Sequence, residues 1–110
     1  MLFRSFWAKI GSGVTPNVQV SFPDKDTDPT GGLCDPSSTG ATGCYDHYNE
    51  RLFFSTTWTQ ETIYFTKLVQ DGWGNLAPAF DPTTLYSIQF NVAAGSTFDI
   101  SIDDLAFITQ

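Results

Sequence analysis

The stretch Leu85–Phe107, LYSIQFNVAAGSTFDISIDDLAF, decides the fold class. Tyr86, Ile88, Phe90 and Val92 alternate with Ser87, Gln89 and Asn91, and Phe98, Ile100 and Ile102 alternate with Asp99, Ser101 and Asp103. A period of two sends alternate side chains to opposite faces of an extended strand. Between the two runs, Ala93-Ala94-Gly95-Ser96 reads as a turn, so they are expected to pair as a hairpin. Past Ile102 the phase slips: Leu105 and Phe107 carry the opposite parity. A strand can absorb such a slip only by an inserted residue, which predicts a bulge or bend at Asp103-Asp104.

The same period runs outward along the chain. Val18, Val20 and Phe22 alternate with Gln19 and Ser21; Phe6–Ile10, Arg51–Thr57 and Thr62–Phe65 read as further short strands. Residues 24–49 and 67–81 are polar, Gly- and Pro-containing excursions, and no segment carries a helical period. About six short strands without helices predict an all-β chain, a β-sandwich or jelly roll.

Composition narrows the function classes. The 110 residues suffice for one domain. Five Lys+Arg against twelve Asp+Glu leave a net charge of −7, the wrong sign for counterion release from nucleic acid or adhesion to anionic lipid. Charged residues are only 15% and aromatics 15%, which sets the chain apart from disordered sequences. The two cysteines, Cys34 and Cys44, bracket DPSSTGATG, a run with no apolar side chain large enough to order it by packing. A disulfide closing that loop is worth about 2.5–3 kcal/mol in the chain-entropy model. Zinc, the competing use, wants four ligands, and the chain has one histidine, His47. A disulfide with few lysines points to a secreted protein, although MLFRSFWAKIG has no signal-peptide core.

The closing stretch, together with the upstream TTW…IYF and GWG elements, resembles carbohydrate-binding modules of the galactose-binding-like jelly-roll superfamily, nearest the family 11 type. The likeness spans roughly residues 52–107, and more loosely Phe6–Phe22; the CYDHY segment departs from it. It implies a secreted, non-catalytic module, monomeric and tethered to a glycoside hydrolase, that binds a plant-wall polysaccharide such as β-glucan. It also implies strands before Phe6 and a structural Ca2+ using Asp103 and Asp104; acids in a solvated kink are the alternative. Residues 1–5, MLFRS, read as a non-native leader of the kind a sequencing-adapter tail encodes, on a truncated metagenomic reading frame, leaving 6–110 as a single module.

Sugars are recognised by a flat aromatic ring and by amides whose paired donors and acceptor suit adjacent hydroxyls. With the apolar parity facing the core, Gln19, Gln89, Asn91 and Asp99 face outward as candidate glycan contacts. A plain solvated sheet face is the alternative. Tyr64 is out of phase with Ile63 and Phe65 and should also point away from the core, while Trp73, between two glycines, is either a loop-borne contact or an edge plug. The resemblance implies a core position for Trp58, and His47, beside Asp46, reads as a surface residue. No nucleophile motif or singled-out carboxylate pair supports an enzyme. A structural or protein-interaction β-sandwich without a glycan site is the other reading.

Overall fold

A computed structural model describes residues 2–109, with side-chain surroundings for 4–107. It is all-β among the described residues. Six strands, β1 (Leu2–Ile10), β2 (Asn17–Phe22), β3 (Tyr48–Phe53), β4 (Thr59–Tyr64), β5 (Gln89–Asn91) and β6 (Ile100–Thr109), are joined by loops and three short 3-10 turns. They form two antiparallel three-stranded sheets, ordered β4-β1-β6 and β3-β2-β5. The expected leader residues Leu2–Ser5 are part of β1, which is central in its sheet.

One expected connection comes out differently. The runs around β5 and β6 do not pair as a hairpin, because β5 belongs to one sheet and β6 to the other. The turn itself forms: Ser96 N–H donates to Ala93 O at 3.1 Å, and Gly95 takes φ 81°, the positive φ a type II turn requires at its third position. Residues 96–99 then run beside the segment after β1, where Gly11 N–H donates to Asp99 O and Thr15 N–H to Thr97 O, both at 3.0 Å. β3 and β4, consecutive along the chain, lie in different sheets.

The bulge falls where the parity slip puts it. Ser5 is opposite Ala106 and Trp7 opposite Asp103, so two steps along β1 match three along β6. Asp104 takes the left-handed φ of 52°, the conformation a G1-type bulge needs at its first position. The inserted residue brings Ile100, Ile102 and Phe107 opposite Ile10, Ala8 and Arg4, on one face despite their mixed parity.

The chain divides into two compact units. The first comprises the residues up to Val20, Arg51–Lys67 and those from Phe90 onward. Its core is apolar: Phe6 is fully buried and meets Phe54 and Phe90 edge-to-face, with centroids 6.1 and 5.5 Å apart. Val18, Val20 and Ile63 are buried as completely. Phe6 stands on β1 and Phe90 on β5, so the two sheets bury side chains against each other within this unit, as in a sandwich.

The second unit, Ser21–Glu50 with Leu68–Gln89, contains the two excursions and is held together differently. Its buried residues include Asp24, Thr27, Asp46, His47 and Asn49. Asp24 accepts from Asp26 N–H at 3.0 Å and Asp81 N–H at 3.1 Å. The Cys34–Cys44 disulfide closes the polar loop, with Cα atoms 5.1 Å apart. Phe22, Tyr48 and Phe80 form its aromatic cluster.

Candidate functional site

The outward parity of β2 and β3 converges on a cleft of about 440 Å³ in the first unit. Asn17 and Gln19 line it from β2, Arg51 and Phe53 from β3 and Asn91 from β5, with Val92 following. The local reason is strand geometry: Val18 and Val20 turn into the core, so Asn17 and Gln19 must turn out. Phe90 packs on Phe6, so Asn91 points the other way. Phe53 remains 76% exposed at the cleft, a ring face that burial gives no reason to keep apolar. Three amides, a guanidinium and a ring are the groups that bond hydroxyls and stack on a sugar face.

Gln19 and Asn91, both expected to face outward, line this one cleft. Arg51, Phe53 and Asn17 were not singled out, although Arg51 and Phe53 already share one parity within the run read as a strand. Gln89 opens β5, half-buried, and does not line the cleft. Asp99 is exposed just before β6; its carboxylate lies against Gly11, where a Cβ would collide with it.

Tyr64 faces outward as expected, but from β4, on the sheet β4-β1-β6. It shares that face with Trp7: Phe3 is opposite Tyr64 and Trp7 opposite Gln60, putting both rings on the same parity. Each ring is 38% exposed. Between them Gln60 Nε2 donates to Ser5 Oγ at 2.9 Å. Trp58, expected in the core, is exposed instead, with Lys9 Nζ 5.1 Å from its ring centroid. It precedes β4 in the crossing between sheets, outside the packed strands.

Trp73 lies in the second unit, exposed, within a loop organised by one buried carboxylate. Asp46 Oδ1 accepts from Asp71 N–H, and Oδ2 accepts from Gly72 and Gly74 N–H, all at 2.9 Å. A Cβ on Gly74 would come within 2.7 Å of Asp46 Cβ and 2.8 Å of Gly43 O, so only glycine fits there. Gln70 Nε2 ties the same loop to the carbonyls of Asp46 and Asn75 at 3.0 and 2.8 Å. Tyr45, immediately before Asp46, is exposed and holds φ 81°. For a bulky residue that conformation costs about 1–3 kcal/mol.

His47 corrects the surface expectation. It is buried, with Nδ1 2.8 Å from Thr27 Oγ1. Burial holds the imidazole below its ordinary pKa, against the opposing pull of Asp28, Asp24 and Asp46. Tyr48 is buried as well and donates to Ala77 O at 3.1 Å.

The calcium expectation rests on Asp103 and Asp104. Asp103 Oδ1 accepts from Asp104 N–H at 2.9 Å, which fixes the bulge. Among the described residues no cluster of three or more His, Cys, Asp or Glu could hold a metal. Two adjacent carboxylates alone fall short of the six to eight oxygens calcium takes.

Compared with known proteins, the chain matches no family model, no curated protein and no solved structure.

Proposed function

We propose that this chain is a secreted, non-catalytic carbohydrate-binding β-sandwich of the jelly-roll, galactose-binding-like type, taking an uncharged polysaccharide such as β-glucan in the Asn17–Gln19–Arg51–Phe53–Asn91 cleft. The observation that carries this reading is the cleft itself: amides from two strands converge beside an exposed ring on an outward sheet face. The disulfide supports an oxidising compartment. Attachment to a glycoside hydrolase follows from the same reading, since a binding module supplies proximity to a polymer that a catalytic domain then cleaves. The Ca2+ that the resemblance implies at Asp103 and Asp104 would be structural, since neither residue lines the cleft.

Affinity electrophoresis through gels containing β-glucan tests it. The wild-type chain should be retarded. Gln19→Ala with Asn91→Ala should remove most of that retardation, and Phe53→Ala alone should reduce it roughly tenfold, in line with the loss of one stacked ring. Equal migration of all variants would exclude this cleft as the site.

The protein-interaction reading is favoured by a separate observation, the outer face of β4-β1-β6 with Trp7 and Tyr64 both exposed. Aromatic side chains of this kind anchor protein interfaces. Retention that depends on Trp7 and Tyr64 but not on the cleft would favour it.

A further inference from the structure

We infer that Arg51 gives the cleft a further specificity: it receives the carboxylate of a uronate residue that branches from an otherwise uncharged plant-wall polysaccharide. This role rests on the glycan reading of the cleft and adds to it the charge of one sugar. Arg51 is exposed on β3 and lines the cleft with Gln19, Phe53 and Asn91. Among the described residues of the lining it is the one charged group, and no carboxylate accompanies it there.

The acids stand elsewhere. The first unit, to which the whole lining belongs, carries four basic and four acidic residues. Asp99 lies against Gly11, Asp103 and Asp104 make the bulge of β6, and Glu61 stands on β4. Glu50 precedes Arg51 on β3 and so projects from the opposite face of the strand. Two of the other cations are set on the chain's own rings: Arg4 Cζ lies 3.3 Å from the Phe107 centroid, and Lys9 lies over Trp58. The second unit carries Lys25, paired with Asp81 at 3.4 Å, against eight Asp and Glu residues. The whole net charge of −7 therefore belongs to the second unit, and the cleft lies in the balanced one.

The groups of the lining read different parts of a sugar. An amide offers both donors and an acceptor, which suits neutral hydroxyls. A guanidinium offers five N–H donors and no acceptor, in a rigid fork that matches the two oxygens of a carboxylate. Five donors serve more than one partner, so contacts that Arg51 makes within the chain are compatible with a ligand carboxylate. Such charge-assisted bonds are about twice as strong as neutral ones. One cation takes one carboxylate, and a net charge of −7 repels a polymer charged at every sugar. The ligand that fits is a neutral backbone with sparse uronate branches, rather than a polyuronate.

Affinity electrophoresis of the full chain tests this in three gels: β-glucan, glucuronoxylan, and the same glucuronoxylan with its carboxyl groups reduced to alcohols. The wild type should hold glucuronoxylan roughly tenfold more tightly than its reduced form, and raising the salt to about 0.5 M should shrink that preference. Arg51→Gln should bring the two xylans to equal retention. Arg51→Lys, which keeps the charge without the fork, should leave a preference of roughly two- to threefold. Arg51 is exposed, so both variants should fold, which an unchanged thermal midpoint checks. A preference that persists in Arg51→Gln would overturn the assignment. Equal retention of the two xylans by a wild type that β-glucan retards would overturn it too, while leaving the cleft itself standing. No retardation in any of the three gels would sink the cleft reading and this role with it.

Discussion

The two units are stabilised in opposite ways. In the first, Phe6, Val18, Val20 and Ile63 are buried among apolar neighbours, and charges balance. In the second, buried carboxylates sit beside the aromatic cluster: Asp24 and Asp46 are fully enclosed and accept from backbone N–H groups, and a disulfide closes a loop that could not pack. An apolar core tolerates loss of shape at a cost set by volume, whereas a polar hub loses all its partners at once when the acceptor goes. The first unit is therefore built on sheet pairing and burial, the second on a few irreplaceable groups that fix loops for display.

That contrast can be broken at either end. Phe6→Ala removes a ring with two edge-to-face partners and should cost about 3–5 kcal/mol, read as a loss of midpoint in urea unfolding. Reducing the disulfide should cost about 2.5–3 kcal/mol, with hydrogen exchange accelerating in residues 24–49 before β1 and β4 respond. Asp46→Asn keeps the size of the side chain but gives up a charged acceptor, at about 2 kcal/mol; the amides of Asp71, Gly72 and Gly74 should lose protection while those of β4 keep it. Uniform loss of protection across both units in these two experiments would show that the units unfold as one.

Smaller effects sharpen the picture. Tyr45→Gly should raise stability by about 0.5–1 kcal/mol, relief of the left-handed strain outweighing the added chain entropy. No gain in a thermal melt would mean that the Tyr45 backbone is not strained.

His47 supplies the pH dependence. Its folded pKa is lowered by burial, so the unfolded chain takes the proton first, near 6.5. The stabilisation is present above that value and falls as pH drops below it, levelling off beneath the lowered folded pKa. Asp26, raised above its ordinary carboxylate value mainly by its own burial, works in the opposite sense, at lower pH. Melting temperatures at about pH 7 and about pH 5.5 should differ in the wild type and converge in His47→Gln.

Much of the fold was legible because strand patterns are local. The alternation in 86–92 and 98–102 and the parity slip at Asp103-Asp104 marked strands and a bulge, since pleat geometry fixes side-chain direction residue by residue. Gln19 and Asn91 were legible as outward-facing for the same reason. Pairing was not: Ala93–Ser96 makes the expected turn, yet its flanking strands join different sheets, because a turn fixes chain direction and long-range burial chooses the partner. Trp58 looked like core and is exposed; His47 looked exposed and is buried, because both lie where strand period gives no guidance.

The sequence by itself determined an all-β chain with a disulfide-closed polar loop and an acidic excess. Those properties reside in residue types and in a two-residue period that needs no distant partner. Only the tertiary structure decided that the acidic excess belongs entirely to one of two units, that Arg51 and Phe53 join Gln19 and Asn91 in one cleft, and that Asp46 fixes the loop carrying Trp73. Each of those facts joins segments far apart along the chain, and only folding against a common core or a buried carboxylate brings them together.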